Sequence, residues 1–290
     1  MELLLSLIIN GLSSGGTYAM IALGYTMVYG IAKMLNFAHG DIIMVGAYAI
    51  YVFMAFSNPL VAILFSILFC LILGITVEKV AYRPLRGASP LAVLITAIGV
   101  SYLLQSLAQI IFGSATKMVN VYDFGTVKLM GVTVQISTLV TVAVTIVIMV
   151  ALTMFVKYTR TGRAMIAVSE DRGAAQLMGI NVNRIITITF AIGSSLAAVA
   201  GLFYLLKAPS VSSTLGAMPG IKAFTAAVIG GIGSIPGAML GGLLLGFVEC
   251  IAAKIEVIAP YTDAIEFAIL IVILLVRPTG FLGKKRREKV

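Results

Sequence analysis

Between Pro59 and Val77 the chain reads PLVAILFSILFCLILGITV without one charged residue, and runs of this kind recur along its whole length. About 20 apolar residues in a helix cross a hydrocarbon layer of roughly 30 Å. Inside that layer each backbone N–H and C=O must find its partner within the protein, so separate spans of this length are helices. Such segments are read at 4–30, 40–56, 59–78, 90–112, 134–156, 186–206, 222–236, 237–256 and 263–277. The seventh is short, and Gly230, Gly231, Gly233 and Pro236 make it a poor straight helix. It is expected to be a weak crossing, a half-span or a re-entrant hairpin, which leaves eight or nine helices across the membrane. Of the 290 residues 60% are hydrophobic and only 11% charged, too few charges to cover a soluble domain. The expected fold class is an all-α polytopic membrane protein, one transmembrane domain over 1–290.

The formal charge of +9 does not point to nucleic acid, because the bases sit in short stretches between apolar runs. The loop at 78–89 holds Lys79, Arg83 and Arg86, and the loop at 157–185 holds Lys157, Arg160, Arg163, Arg172 and Arg184. The tail at 278–290, with Arg277 just before it, adds Lys284, Lys285, Arg286, Arg287 and Lys289. Excess Lys and Arg mark cytoplasmic loops, so all three are expected inside. An even number of crossings must then separate the second loop from the tail, and the weak seventh segment has to cross. Nine crossings follow, with the N-terminus outside, the C-terminus in the cytoplasm, and Lys117, Lys128, Lys207, Lys222 and Lys254 outside. They divide as four, one and four, and the two sets of four begin on opposite sides. That is the topology of an inverted repeat, here resting on topology alone. No secretory leader is read, since Glu2 precedes an apolar run that continues into more membrane. Cys70 and Cys250 stand alone in apolar segments and suggest neither a disulfide framework nor a metal cluster.

Four motifs interrupt the apolar runs. NGLSSGGTYAMIALGY, from Asn10, places Ser13, Ser14 and Thr17 among Gly11, Gly15 and Gly16. It reads either as close helix packing through small residues or as a broken helix lining a polar path. MLNFAHGD, Met34 to Asp41, holds the sole histidine. One His and one carboxylate are too few for zinc, and no nucleophile is paired with them. The segment is expected to be a boundary turn with Asp41 near a helix N-terminus, while Asn36 and His39 remain candidates for the path or its gate. GGIGSIPGAMLGGLLLG, Gly230 to Gly246, repeats glycine at 233, 237 and 241 and again at 242 and 246, which strips one helix face for packing. Glu78 is read beside Lys79 at a span boundary, Glu249 in the outer half of its span and Glu266 near the start of its own. Solvation at a boundary is the commoner explanation for such positions, although an intramembrane acid could also couple a carrier to protons. No GxxxxGK[ST] occurs, so ATP is not hydrolysed by a P-loop of this chain.

The fourth motif, AVSEDRGAAQLMGINVNRI at 167–185, is polar yet carries an apolar pattern. Ser169 is read as an N-cap with Glu170 and Asp171 in the first turn, and Gly179 as the C′ residue. Asn183 is read as capping the next span. The helix between is too short to stand alone in water. Ala174, Leu177 and Met178 make one narrow apolar patch, which favours a protein groove over a lipid surface.

With these residues in view, the chain resembles the permease subunits of bacterial ABC importers for branched-chain amino acids. GLSSGGTYAMIALGYTMVYGIAKMLNFAHGD is similar to the family's N-terminal signature, GRAMIAVSEDRGAAQLMGINVNRI to its cytoplasmic loop, and AFTAAVIGGIGSIPGAMLGGLLLG to its glycine-rich C-terminal stretch. The resemblance implies a non-enzymatic subunit of the bacterial inner membrane, paired with a second permease, homologous or identical. It implies two cytoplasmic ATPase subunits, which use the ATP, and an extracytoplasmic solute-binding protein. No cofactor is expected on this chain. Glu170, Asp171, Ala174, Ala175, Leu177, Met178 and Gly179 become the expected ATPase-docking residues. The importer loop motif, Glu-Ala-Ala, three residues, Gly, is matched in spacing, but Gly173 stands where the acid belongs. Related permeases carry urea or short amides, and a self-sufficient carrier using Glu249 or Glu266 is the competing reading.

Overall fold

The structure is a computed structural model that describes residues 2–122, 124–129 and 132–283. Asp123 and the basic residues Lys284, Lys285, Arg286, Arg287 and Lys289 of the tail lie outside the described residues. The α-helices are α1 (Glu2–Ala32), α2 (His39–Met54), α3 (Pro59–Val77), α4 (Pro90–Phe112), α5 (Ile136–Tyr158), α6 (Arg160–Glu170), α7 (Arg172–Leu177), α8 (Val182–Lys207), α9 (Ala217–Gly230), α10 (Ile235–Ala252) and α11 (Thr262–Val276). A π-helical turn, Glu78–Tyr82, extends α3. The strands are β1 (Lys117–Met118), β2 (Thr126–Leu129), β3 (Val132–Gln135) and β4 (Ser210–Val211), paired antiparallel as β1 with β4 and β2 with β3. They gather at one end of the bundle, and α6 and α7 at the other.

Seven of these helices are long and apolar enough to cross a membrane: α1, α3, α4, α5, α8, α10 and α11. The other two sequence segments, 40–56 and 222–236, become the shorter helices α2 and α9. With 16 and 14 residues they rise about 24 and 21 Å at 1.5 Å per residue, less than a full crossing. Non-helical chain precedes each: 33–38 before α2, and 208–216, which includes β4, before α9. Met34, Asn36 and Ala38 of the first stretch are buried, which is the condition under which non-helical backbone is tolerated at membrane depth. The span read from 134 begins at Ile136, because the alternating sequence Val132–Gln135 pairs as β3.

α1 and α8 form the centre and cross antiparallel at Gly24 and Gly193, where each glycine has the other's carbonyl oxygen within 3.5 Å of a would-be Cβ. α1 packs along α10, with Gly15 against Leu243 and Gly246, and Gly242 against Ala19. α8 packs along α3, with Ser194 filling the space at Gly74. Each central helix is followed by a short one, and the starts of α2 and α9 meet: neither Gly40 nor Gly216 has room for a Cβ against the other's backbone. The first and last sets of four helices are therefore arranged as inverted counterparts, with α5 between them. The glycine motif serves two faces rather than one. Gly237 and Gly241 abut Gly230 and Ala226 of α9, while Gly242 and Gly246 abut α1. Gly233 precedes α10 in a left-handed turn with φ 93°. α1 is unbroken through its hydroxyl-rich stretch, so small-residue packing rather than a helix break explains the glycines there.

Candidate functional site

Two places concentrate the polar chemistry: the α6–α7 surface, and a pocket at the strand-bearing end. The surface begins at α5, whose last turn is followed by Thr159, an N-cap that accepts a bond from the Gly162 N–H at 3.0 Å. Gly162 lies against the backbone of Phe155 and Val156 with no room for a side chain. That close approach folds α6 back under the bundle, with Met165 and Val168 buried and Arg163 and Ile166 outward.

Asp171, not Ser169, caps α7. Asp171 is extended (φ −151°, ψ 114°), and its Oδ1 accepts from the Ala174 N–H at 3.0 Å. Ser169 lies inside α6 and donates to the Ile166 carbonyl at 2.7 Å, and Glu170 is the last residue of α6. Both Ser and Asp are good caps by type, so sequence could not choose between them. Gly179 ends the segment as expected, with φ 80°. The Gly179 N–H donates to Gln176 at 2.9 Å and the Ile180 N–H to Ala175 at 3.0 Å, a closed C-terminal turn. Asn181 rather than Asn183 caps α8, accepting from the Arg184 N–H at 3.0 Å.

The result is a two-capped turn whose apolar residues face out: Leu177 is 91% and Met178 82% exposed, and Ala174 is exposed beside them. Ala175, named among the docking residues, turns inward and is buried. Arg172 fixes the turn to the bundle, donating to the carbonyls of Ala32 and Ile31 at the end of α1. Burial, and then the neighbouring Arg86, lower the guanidinium's proton affinity, although an arginine remains charged. A second tie runs alongside. Glu78 is fully buried, paired with Arg86 rather than Lys79, and accepts from the Thr187 hydroxyl of α8 at 2.7 Å. Arg86 also reaches the Asn183 side chain. Boundary solvation therefore does not explain Glu78; it joins α3 to α8.

At the opposite end a polar pocket of about 170 Å³ opens between α1, α5, α8 and α10. Asn10, Ser13, Ser14 and Thr17 line it from α1. Facing them are Gln135 at the end of β3 and Ser137, Thr138 and Thr141 on α5; Lys207 and Cys250 close the sides. Sequence reasoning missed the α5 side, although threonines at 138, 141 and 145 recur at helical spacing in an otherwise aliphatic run. Asn36 and His39 do not join this pocket. Asn36 Oδ1 accepts from the Tyr82 hydroxyl at 2.7 Å, and the His39 ring packs edgewise on Tyr25 with centroids 4.8 Å apart. Both are buried near the meeting point of α2 and α9.

The other two acids read within the spans, Glu249 and Glu266, are partners of one lysine. Lys222, expected on the outer side at the start of segment 222–236, lies in α9 with its Nζ 2.7 Å from Asp263, 3.3 Å from Glu266 and 3.7 Å from Glu249. Glu266 is fully buried, and Glu249 also accepts from the Tyr18 hydroxyl at 3.1 Å. A membrane-buried charge is tolerated when it is paired inside the bundle, and here the ion pairs join α9 to α10 and α11.

The profile of the family described as "Branched-chain amino acid transport system / permease component" matches residues 7–274. The chain belongs to this family. This permease is 44% identical to the high-affinity branched-chain amino acid transport system permease protein BraD of Pseudomonas aeruginosa, over 98% of this chain and 97% of that one. It is 43% identical to LivH of Escherichia coli K12, over 97% and 96%. It is 26% identical to the fructose import permease protein FruG of Bifidobacterium longum, over 80% and 70%. The permease is a multi-pass membrane protein and a subunit of an importer, not the importer entire.

Proposed function

We propose that this permease carries branched-chain amino acids, Leu, Ile or Val, inward across the bacterial cytoplasmic membrane as part of an ATP-driven importer. The observation that carries this reading is the match, along nearly the full chain, to permeases named for that transport. The α7 end is cytoplasmic and the strand-bearing end, with the polar pocket, faces out, which puts the N-terminus outside and the C-terminus inside. The bases Arg160, Arg163, Arg172 and Arg184 at the α7 end support that orientation. α7 docks on one of two ATPase subunits, whose closure on ATP is passed to α1 through Arg172 and to α8 through the capped turn. A second permease and an extracytoplasmic binding protein complete the machine, and the pocket lined by Ser13, Ser14 and Thr17 is the outer part of the path. No cofactor is held by this chain. A secondary carrier would need an acid free to exchange protons, and Glu249 and Glu266 are both engaged with Lys222.

Reconstitution with ATPase subunits and a solute-binding protein from the same organism tests the reading. Leucine should accumulate in vesicles only with ATP on the ATPase side. Transport of urea or a sugar, with leucine ignored, would overturn it.

A further inference from the structure

Lys222 and Lys207 differ in what faces them. Lys222 has three carboxylates within 4 Å. Lys207 has none among the described residues. It is the last residue of α8, and its ammonium donates to the Ser14 hydroxyl at 3.0 Å on the wall of the polar pocket. Lys207 is otherwise exposed at the pocket mouth, so the Ser14 hydroxyl takes one of its three ammonium donors and the other two remain open to a solute entering from that side. Beside it, Phe203 and Leu206 supply an apolar wall, while Thr138 and Thr141 face it from α5. At about 170 Å³ the pocket suits one small solute, well under the roughly 300–1,000 Å³ of drug-sized sites. One turn below Thr141, Thr145 is buried against Gly16 with its hydroxyl unpartnered, so the polar seam between α1 and α5 continues inward past the pocket floor.

We propose that this pocket is a binding site for the amino acid in transit, in which Lys207 with Ser14 takes the α-carboxylate and Phe203 and Leu206 take the aliphatic side chain. The site rests on the reading that the α1–α5 pocket lies on the substrate's path. It assigns Lys207 a role in holding the solute that the three-carboxylate surroundings deny to Lys222.

The pocket contains its own reporter. Cys250 lines it, and Cys70 is fully buried elsewhere. In the assembled importer, without binding protein, the rate at which a small methanethiosulfonate modifies Cys250 is followed against L-leucine and against leucinol, which lacks the carboxylate. Leucine should slow modification and leucinol should not. Lys207→Met should raise the half-protecting leucine concentration about ten-fold or more, the loss of one hydrogen bond to a charged group, and Lys207→Arg should retain protection. Equal protection by leucinol, or full protection in Lys207→Met, would overturn the assignment of Lys207. Thr138→Trp, which fills the pocket, separates the two levels. If it blocks uptake while leucine never protects Cys250, the pocket is on the path but is no binding site. If it leaves uptake unchanged, the path itself lies elsewhere.

Discussion

Leu177→Asp tests the proposed docking role of α7 most directly, because the folded permease gives the side chain almost nothing to lose. Leu177 is 91% exposed, so its replacement should leave the bundle as stable as before. Any energy it contributes must come from a partner that covers it. Burying a leucine is worth about 1.5–3 kcal/mol, which is roughly a ten- to 150-fold change in an association constant. The aspartate adds a carboxylate that would be desolvated in the same groove, a further cost. ATPase subunits should therefore dissociate from Leu177→Asp permease at concentrations at least about ten-fold higher than from the native one, and leucine-stimulated ATP hydrolysis should fall with occupancy. Ala174→Trp, on the same exposed face, should obstruct docking in the same way. Ala175→Trp is the contrasting variant: Ala175 is buried, so it should damage folding itself. Thermal unfolding of the isolated permease, co-elution over a dilution series, and ATP hydrolysis separate these outcomes. If Leu177→Asp and Ala174→Trp both keep full occupancy at every dilution, α7 is not the docking element and lies on the lipid surface instead.

Arg86→Ala should leave Glu78 as a buried unpaired carboxylate and cost about 3–5 kcal/mol; adding Glu78→Gln should recover part of that loss, read as the midpoint of thermal unfolding. Lys222→Met is expected to behave likewise, with partial recovery in Lys222→Met/Glu266→Gln, and no recovery would mean that the ion pairs do not hold α9 to α11. Gly246→Leu should abolish folding, since the backbone of Gly15 occupies the space a side chain needs, whereas Gly99→Leu, where nothing lies within 4 Å, should be neutral or slightly stabilising. In a Cys250→Ser background, a cysteine at Ser212 should react with an impermeant reagent in intact cells and one at Arg163 should not; labelling at Arg163 alone would reverse the orientation.

The sequence by itself determined the class of protein and most of its elements. Apolar runs near 20 residues leave little choice but helices in a bilayer, and each such run became an apolar helix. It also indicated small-residue packing at the glycines and the turn at Gly179, because these depend on residues a few positions apart, but not which residues cap α7 and α8. What it could not determine depends on residues far apart in the chain. Lys222 reads as an outer-side base until α9, α10 and α11 bring Asp263, Glu249 and Glu266 around it. Glu78 reads as a solvated boundary acid until Arg86 and Thr187 close over it. The span 40–56 reads as an ordinary crossing and 222–236 as a weak one, and only the contact of Gly40 with Gly216 shows both as part-length helices whose starts meet inside the bundle. The polar pocket needs hydroxyls from α1 and α5 and an ammonium from α8, all in one place. Local pattern decides whether a segment is helical because backbone pairing in a helix is local. Which buried charge is neutralised, and by what, is decided by packing, because in a low-dielectric interior the cost of a charge depends on whatever the fold sets within a few ångströms of it.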